Sequence, residues 1–217
     1  ASIEVARNDF DLWVYSFSAY APLMVQQTIR KTSLLEFFHL MGQNASKKFP
    51  VFGRFAQHAE NKVLQLHPEI LTISPTLKTS LQNMVANANI HLVYTGVNDA
   101  CFQSKAQEKD YILYFGRLDI HTKGLDILFK AMKKLTAKNI RLVLAGKSTP
   151  DREHTLWEMA NTLGISLHIE FFGQVSEEER SLLMSEALCV CMPSRYEGWG
   201  IVAIEAGAAK TAVIGTN

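Results

Sequence analysis

No apolar run in this chain approaches the roughly 20 residues that a membrane-spanning helix requires, so no transmembrane segment is expected. The opening residues, Ala1 to Phe10, lack the basic start and apolar stretch of a secretory leader, which makes the cytoplasm the expected location. Cysteine is scarce: Cys101, Cys189 and Cys191 are too few for a disulfide scaffold. Cys189 and Cys191 stand in an apolar run and are expected as buried thiols, one on each face of a strand, rather than as a disulfide or a metal site. An excess of one charge is also missing. The 22 Lys and Arg nearly balance the 21 Asp and Glu, which leaves no electrostatic case for nucleic acid, and Lys130, Lys133, Lys134, Lys138 and Arg141 read as a solvated helix face. Internal repeats and low-complexity stretches are absent as well.

What remains is a chain of 217 residues, 47% hydrophobic and 20% charged, enough for one large or two small globular domains. Strand-like and helix-like segments alternate throughout, the pattern of parallel sheets with crossover helices. In a first unit the apolar runs predict strands at 12–17, 33–38, 69–73 and 91–95, with helices at 21–30, 54–66 and 77–87 and a turn at Ser74-Pro75. In a second unit strands are predicted at 111–115, 140–145, 167–172, 188–192 and 212–215, with helices at 125–134, 152–163, 177–186 and 201–209. The polar stretch 98–110, centred on Gln103-Ser104-Lys105, is the expected linker, dividing the chain into 1–97 and 111–217.

The richest segment runs Pro193-Ser194-Arg195-Tyr196-Glu197-Gly198-Trp199-Gly200-Ile201-Val202-Ala203-Ile204-Glu205-Ala206. Pro193-Ser194 stop the strand, Gly198 and Gly200 let backbone approach a ligand closely, and the helix that follows offers free N–H groups and a dipole to an anion. Glu197 and Glu205 put negative charge at the same place, which suits hydrogen bonds from sugar hydroxyls better than contact with phosphate. Taken singly, each would be read as a solvated glutamate. A second segment, Gly116-Arg117-Leu118-Asp119-Ile120-His121-Thr122-Lys123-Gly124-Leu125, follows a strand and brings two cations.

The first segment resembles the E-x7-E signature of retaining GT-B glycosyltransferases of family 4, the group 1 glycosyltransferases, and the second resembles that family's G-R-L-x(n)-K-G element. The resemblance implies two Rossmann-like parallel-sheet α/β units of GT-B type, an acceptor-side unit over 1–97 and a nucleotide-sugar donor unit over 111–217. Against the family's pattern the first is expected to be incomplete and the second to lack its C-terminal helices. It also implies roles: Glu197 beside the donor sugar, Glu205 on the nucleotide ribose, the amides of Gly200 and Ile201 facing the diphosphate, with Arg117 and Lys123 neutralising it. Gly146, in Ala145-Gly146-Lys147-Ser148, and Gln174 and Val175, in a stretch similar to the family's F-x-G-x-V element, would lie near the base. His39, after the second strand, matches a histidine at the acceptor side, while Glu60 and Ser74 match positions of structural character.

The expected reaction is transfer of a hexose from a UDP- or GDP-linked sugar to a saccharide, lipid or other hydroxyl acceptor, with retention. No cofactor and no metal are expected: Asp9-Phe10-Asp11 imitates a D-x-D clamp, but no acidic or histidine partner stands at a defined spacing. Two other readings stand beside this one. The chain is a noncatalytic nucleotide-sugar module completed by a partner chain, or Gly198-Trp199-Gly200-Ile201-Val202-Ala203 is a dinucleotide fingerprint, although a nicotinamide site should follow its strand at once. Lys47 to Phe55 mixes basic and aromatic residues and is the candidate for peripheral membrane contact.

Overall fold

The computed structural model of the protein describes residues 11–17, 33–40, 50–103, 107–195, 197 and 199–216. The expected helix at 21–30, Asp9 and Phe10, Lys47 to Phe49, the linker centre Ser104-Lys105, and the site residue Gly198 lie outside them. The chain divides into two compact units, Ala1–Thr95 and Gly96–Asn217.

The first unit carries a parallel sheet in the order β1-β2-β3-β4, formed by Trp13–Ser16, Ser33–Glu36, Glu69–Thr72 and Asn89–Leu92. Its helices among the described residues are α1, Pro50–Leu66, and α2, Pro75–Met84. Val63 and Leu64 of α1 and Leu77 and Leu81 of α2 close over Leu35, Phe37, Ile70 and Ile90, one core against one sheet. Both helices begin earlier than the apolar period suggests. The reason is proline: its fixed φ and missing N–H suit the first turn of a helix. Ser74-Pro75 is accordingly a helix start rather than a free turn, with Ser74 Oγ accepting the Leu77 N–H at 3.4 Å. β4 also begins two residues early, because Asn89 pairs with Glu69 in register and its Nδ2 donates to Glu69 Oε1 at 2.8 Å.

The second unit is a five-stranded parallel sheet of order β7-β6-β5-β8-β9, from Lys109–Phe115 (β5), Arg141–Ala145 (β6), Ile169–Gly173 (β7), Ala187–Met192 (β8) and Ala212–Gly215 (β9). Its helices are α3 (Ala100–Gln103), α4 (Leu125–Met132), α5 (Pro150–Leu163), α6 (Glu177–Glu186) and α7 (Ile201–Ala208). α4 and α5 cover one face, over Ile112, Tyr114, Leu142 and Leu144; α6 and α7 cover the other, over Tyr111, Leu113, Val143 and Ala145. A strand covered on both faces needs apolar residues at every position, which is why β5, β6 and β8 read as unbroken runs. α3 was not legible in the polar stretch 98–110. Asn98 Oδ1 accepts the Ala100 N–H at 2.9 Å, and Cys101 is buried with Ser181 Oγ 3.7 Å from its Sγ.

The cysteine expectation needs one correction. All three thiols are free and buried, but Cys189 and Cys191 point into the same core cluster, not to opposite faces. A strand repeats every two residues, so i and i+2 share a face.

Candidate functional site

In the second sheet the chain winds outward from β5 through β6 to β7, then returns to the other side of β5 to place β8 and β9. The strand order therefore reverses between β5 and β8. Loops leaving the carboxyl ends of two such strands diverge and leave a crevice. A cavity of about 320 Å3 lies there, lined by Gly116 and Arg117 after β5, Lys123 before α4, Met192, Ser194 and Glu197 at and after β8, and Ile201 and Val202 at the start of α7.

Local chemistry explains how each side chain arrives. Gly116 turns out of β5 with its N–H on Ala145 O, and the buried Tyr114 hydroxyl donates to Arg117 O at 2.8 Å, which fixes the bend that presents Arg117. Burial pushes the Tyr114 phenol well above its usual range, so it remains a donor at any ordinary pH. Asp119 Oδ1 accepts the Thr122 N–H at 2.7 Å and curls the chain back toward Lys123. Gly124 then sits at φ +66°, and a Cβ there would lie 1.9 Å from Pro193 O. The glycine of the K-G pair is thus required twice, by conformation and by contact with the loop after β8. Gly146 meets the same demand elsewhere: a Cβ on it would stand 2.2 Å from Gly116 O.

Inside the cavity Lys123 Nζ lies 2.6 Å from Glu197 Oε2, and Ser194 Oγ donates to the same oxygen at 3.1 Å. Arg117 is exposed on the cavity wall. Gly200, at φ +72°, leads into α7, whose first residue Ile201 borders the cavity. The eight residues 193–200 separate β8 from α7, unlike the immediate strand-to-helix turn of a nicotinamide fingerprint.

Six expected residues do not line this cavity: Gly146, Gln174, Val175, Gly200, Glu205 and His39. Gly146 is buried beneath Gly116, Gln174 is exposed after β7, and Val175 packs against the core under α6 and α7. Glu205 is only 5% exposed, and its Oε1 meets Arg180 Nη2 at 3.2 Å while its Oε2 is buried with no hydrogen-bond partner among the described residues. Burial raises the Glu205 pKa above its ordinary value; Arg180 pulls it down, and the nearby Glu177 adds to the rise. The Arg180 guanidinium lies 5.6 Å from the Phe115 ring centroid, and Phe115 borders the cavity. His39 belongs to the first unit, exposed in the stretch after β2.

Three polar residues of the site carried no expectation from the sequence: Arg180, Arg195 and Asp126. Arg195 and Asp126 form a bidentate pair at 2.7 and 2.8 Å. An acid in the first turn of α4 and an arginine inside the glutamate motif are visible in the sequence, but only folding brings them together. Among the described residues no group of three or more His, Cys, Asp and Glu is arranged to hold a metal ion, and no helix is long and apolar enough to cross a membrane.

Two parallel-sheet α/β units, with an Arg, a Lys and a Glu gathered where one sheet reverses its strand order, define a Rossmann-like protein of GT-B type. The chain belongs to the glycosyl transferases group 1, whose description it matches over residues 99–217. It is similar to the O-antigen chain mannosyltransferase RfbU of Salmonella typhimurium, 31% identical over 147 residues, 67% of this chain and 41% of that protein. It is also similar to the MMP alpha-(1->4)-mannosyltransferase of Mycolicibacterium hassiacum, 27% identical over 162 residues, 73% of this chain and 39% of that protein. Among solved structures it shares its fold with a sucrose-phosphate synthase from Thermosynechococcus elongatus, with a TM-score of 0.79 at 22% identity over 98% of this chain and 57% of that one. The chain spans about two fifths of the length of these curated relatives.

Proposed function

We propose that this chain binds a UDP- or GDP-linked hexose and transfers the hexose, with retention, to the hydroxyl of a saccharide, lipid or other acceptor. The observation that carries the reading is the convergence of Arg117, Lys123 and Glu197 on one cavity, with 2.6 Å between Lys123 Nζ and Glu197 Oε2. Two mannosyltransferases among the relatives support a hexose as the group moved.

Arg117 and Lys123 supply the positive charge that a diphosphate demands, and the N–H groups at the start of α7, at Ile201, add to it. Glu197 accepts from Lys123; a bound diphosphate would compete for that lysine and leave Glu197 to accept from a sugar hydroxyl. The reaction breaks the bond between the sugar C1 and the diphosphate oxygen. The acceptor oxygen bonds C1 on the face the diphosphate leaves, so a departing phosphate oxygen is the base nearest the acceptor proton. The same two cations stabilise the departing charge. Glu205, one of whose buried oxygens has no hydrogen-bond partner among the described residues, is suited to the ribose diol. Gly146, Gln174 and Val175 are the candidates beside the base, and His39 is the acceptor-side candidate of the first unit. Because two side-chain cations meet the diphosphate, donor binding is expected to survive EDTA.

Calorimetric titration with UDP, GDP, ADP and NAD tests the reading. Selective UDP or GDP binding is expected, weakened about tenfold to a hundredfold in Lys123→Ala, as the loss of one charge-assisted hydrogen bond predicts, with an unchanged circular-dichroism spectrum. Glu205→Ala is expected to weaken it as well. Unchanged affinity in both variants would sink the assignment, and selectivity for NAD would favour a dinucleotide enzyme. Binding without turnover until a partner chain is added would instead mark a noncatalytic module.

A further inference from the structure

We propose that Arg195 is a positioning residue of the diphosphate site: with Asp126 it forms a clasp that holds Lys123 opposite Glu197. This rests on the donor-pocket reading above. Arg195 stands in the loop after β8, two residues before Glu197, and its hydrogen bonds among the described residues reach the segment that carries Lys123. Its Nη1 and Nη2 donate to Asp126 Oδ1 and Oδ2 at 2.7 and 2.8 Å, Nη1 also donates to His121 O at 2.8 Å, and its backbone N–H donates to Thr122 O at 3.0 Å. These contacts bracket Lys123 on both sides. Behind them the backbone of Gly124 runs so close to Pro193 that a Cβ on it would lie 1.9 Å from Pro193 O.

The clasp makes the two loops one body. Lys123 is a charge on a flexible four-carbon stem, and anchoring its backbone from both sides removes part of the ordering cost when a diphosphate binds. A planar fork with two parallel N–H···O bonds fixes orientation as well as distance, which lysine cannot reproduce. The arginine pulls the Asp126 carboxyl below its usual range, so the clasp stays charged across the neutral region.

A brace that merely stabilised the fold would leave the site's chemistry alone, and a double-mutant cycle separates the two roles. Arg195→Gln in the full chain is expected to weaken UDP or GDP binding roughly tenfold, and to cause no further loss once Lys123→Ala is present, because it acts through that lysine. Arg195→Lys is expected not to rescue. Equal losses in both backgrounds, or no loss in the first, would overturn the proposal. If Arg195→Gln fails to fold, Asp126→Asn, of the same shape, carries the same expectation. Hydrogen exchange reads the clasp without any ligand: in either variant, faster exchange confined to 119–126 is expected, and unchanged exchange there overturns the clasp. A wild-type chain that binds neither UDP nor GDP sinks the donor-pocket reading instead, while exchange still decides whether the clasp orders the loop.

Discussion

Glu205 is a carboxylate kept where water barely reaches it. Its folded pKa lies above its unfolded value, so the folded chain holds the Glu205 proton more tightly than the unfolded chain does. Its contribution to stability is therefore complete below about pH 4.5 and is lost as pH rises through the raised value. Glu205→Gln is accordingly expected to raise the melting temperature at pH 7, the gain shrinking as pH falls through the raised value and gone below about 4.5, while nucleoside diphosphate binding weakens. A gain that persists at low pH would show that the charge is not its source. Glu197 pairs with Lys123 at 2.6 Å. On the proposed reading it competes with phosphate for that lysine, so Glu197→Gln is expected to leave UDP or GDP binding intact or tighter by a few-fold, as loss of a partly exposed ion pair allows, while transfer is lost. Weaker nucleotide binding in that variant would contradict the competition.

Among the elements, α6 has the most local definition. Ser176 Oγ accepts the Glu179 N–H at 3.2 Å while Glu179 Oε2 accepts the Ser176 N–H at 2.8 Å, a reciprocal cap that also brings acidic residues to the positive end of the helix. Ser176→Ala is expected to cost about 1 kcal/mol in urea unfolding. Since α6 carries Arg180, the variant is also expected to loosen the hold on Glu205. Gly124→Ala should be far harsher, because left-handed backbone and a contact of 1.9 Å cannot both be relieved by small shifts. Denaturant unfolding that shows a loss no larger than for Ser176→Ala would mean that the loops after β5 and β8 separate readily.

At the scale of the molecule, the core clusters respect the division into two units: one closes over the first sheet, and two cover the faces of the second. The cavity, both cations and both glutamates lie within Gly96–Asn217. That segment expressed alone is therefore expected to fold and to bind UDP or GDP as the whole chain does, by calorimetry. Loss of binding by a folded second unit would place part of the donor site in the first.

Much of this was written in the sequence, and for a physical reason. Strands buried on both faces must be apolar throughout, so β5, β6 and β8 were visible as runs, and the glycine and cation spacings of the two motifs pointed to loops that line the cavity. Helix starts were misplaced at Pro50, Pro75 and Pro150, where periodicity counts apolar residues but proline sets the first turn. α3 was hidden in a polar stretch because one buried cysteine and one asparagine cap, not a period, make it. Beyond the sequence's reach were the partners: Arg195 with Asp126, Arg180 with Glu205 and Lys123 with Glu197 are separated by 69, 25 and 74 positions. Composition and spacing act over a turn or a strand. Only the strand order, by reversing beside β5, decides which distant side chains share one crevice.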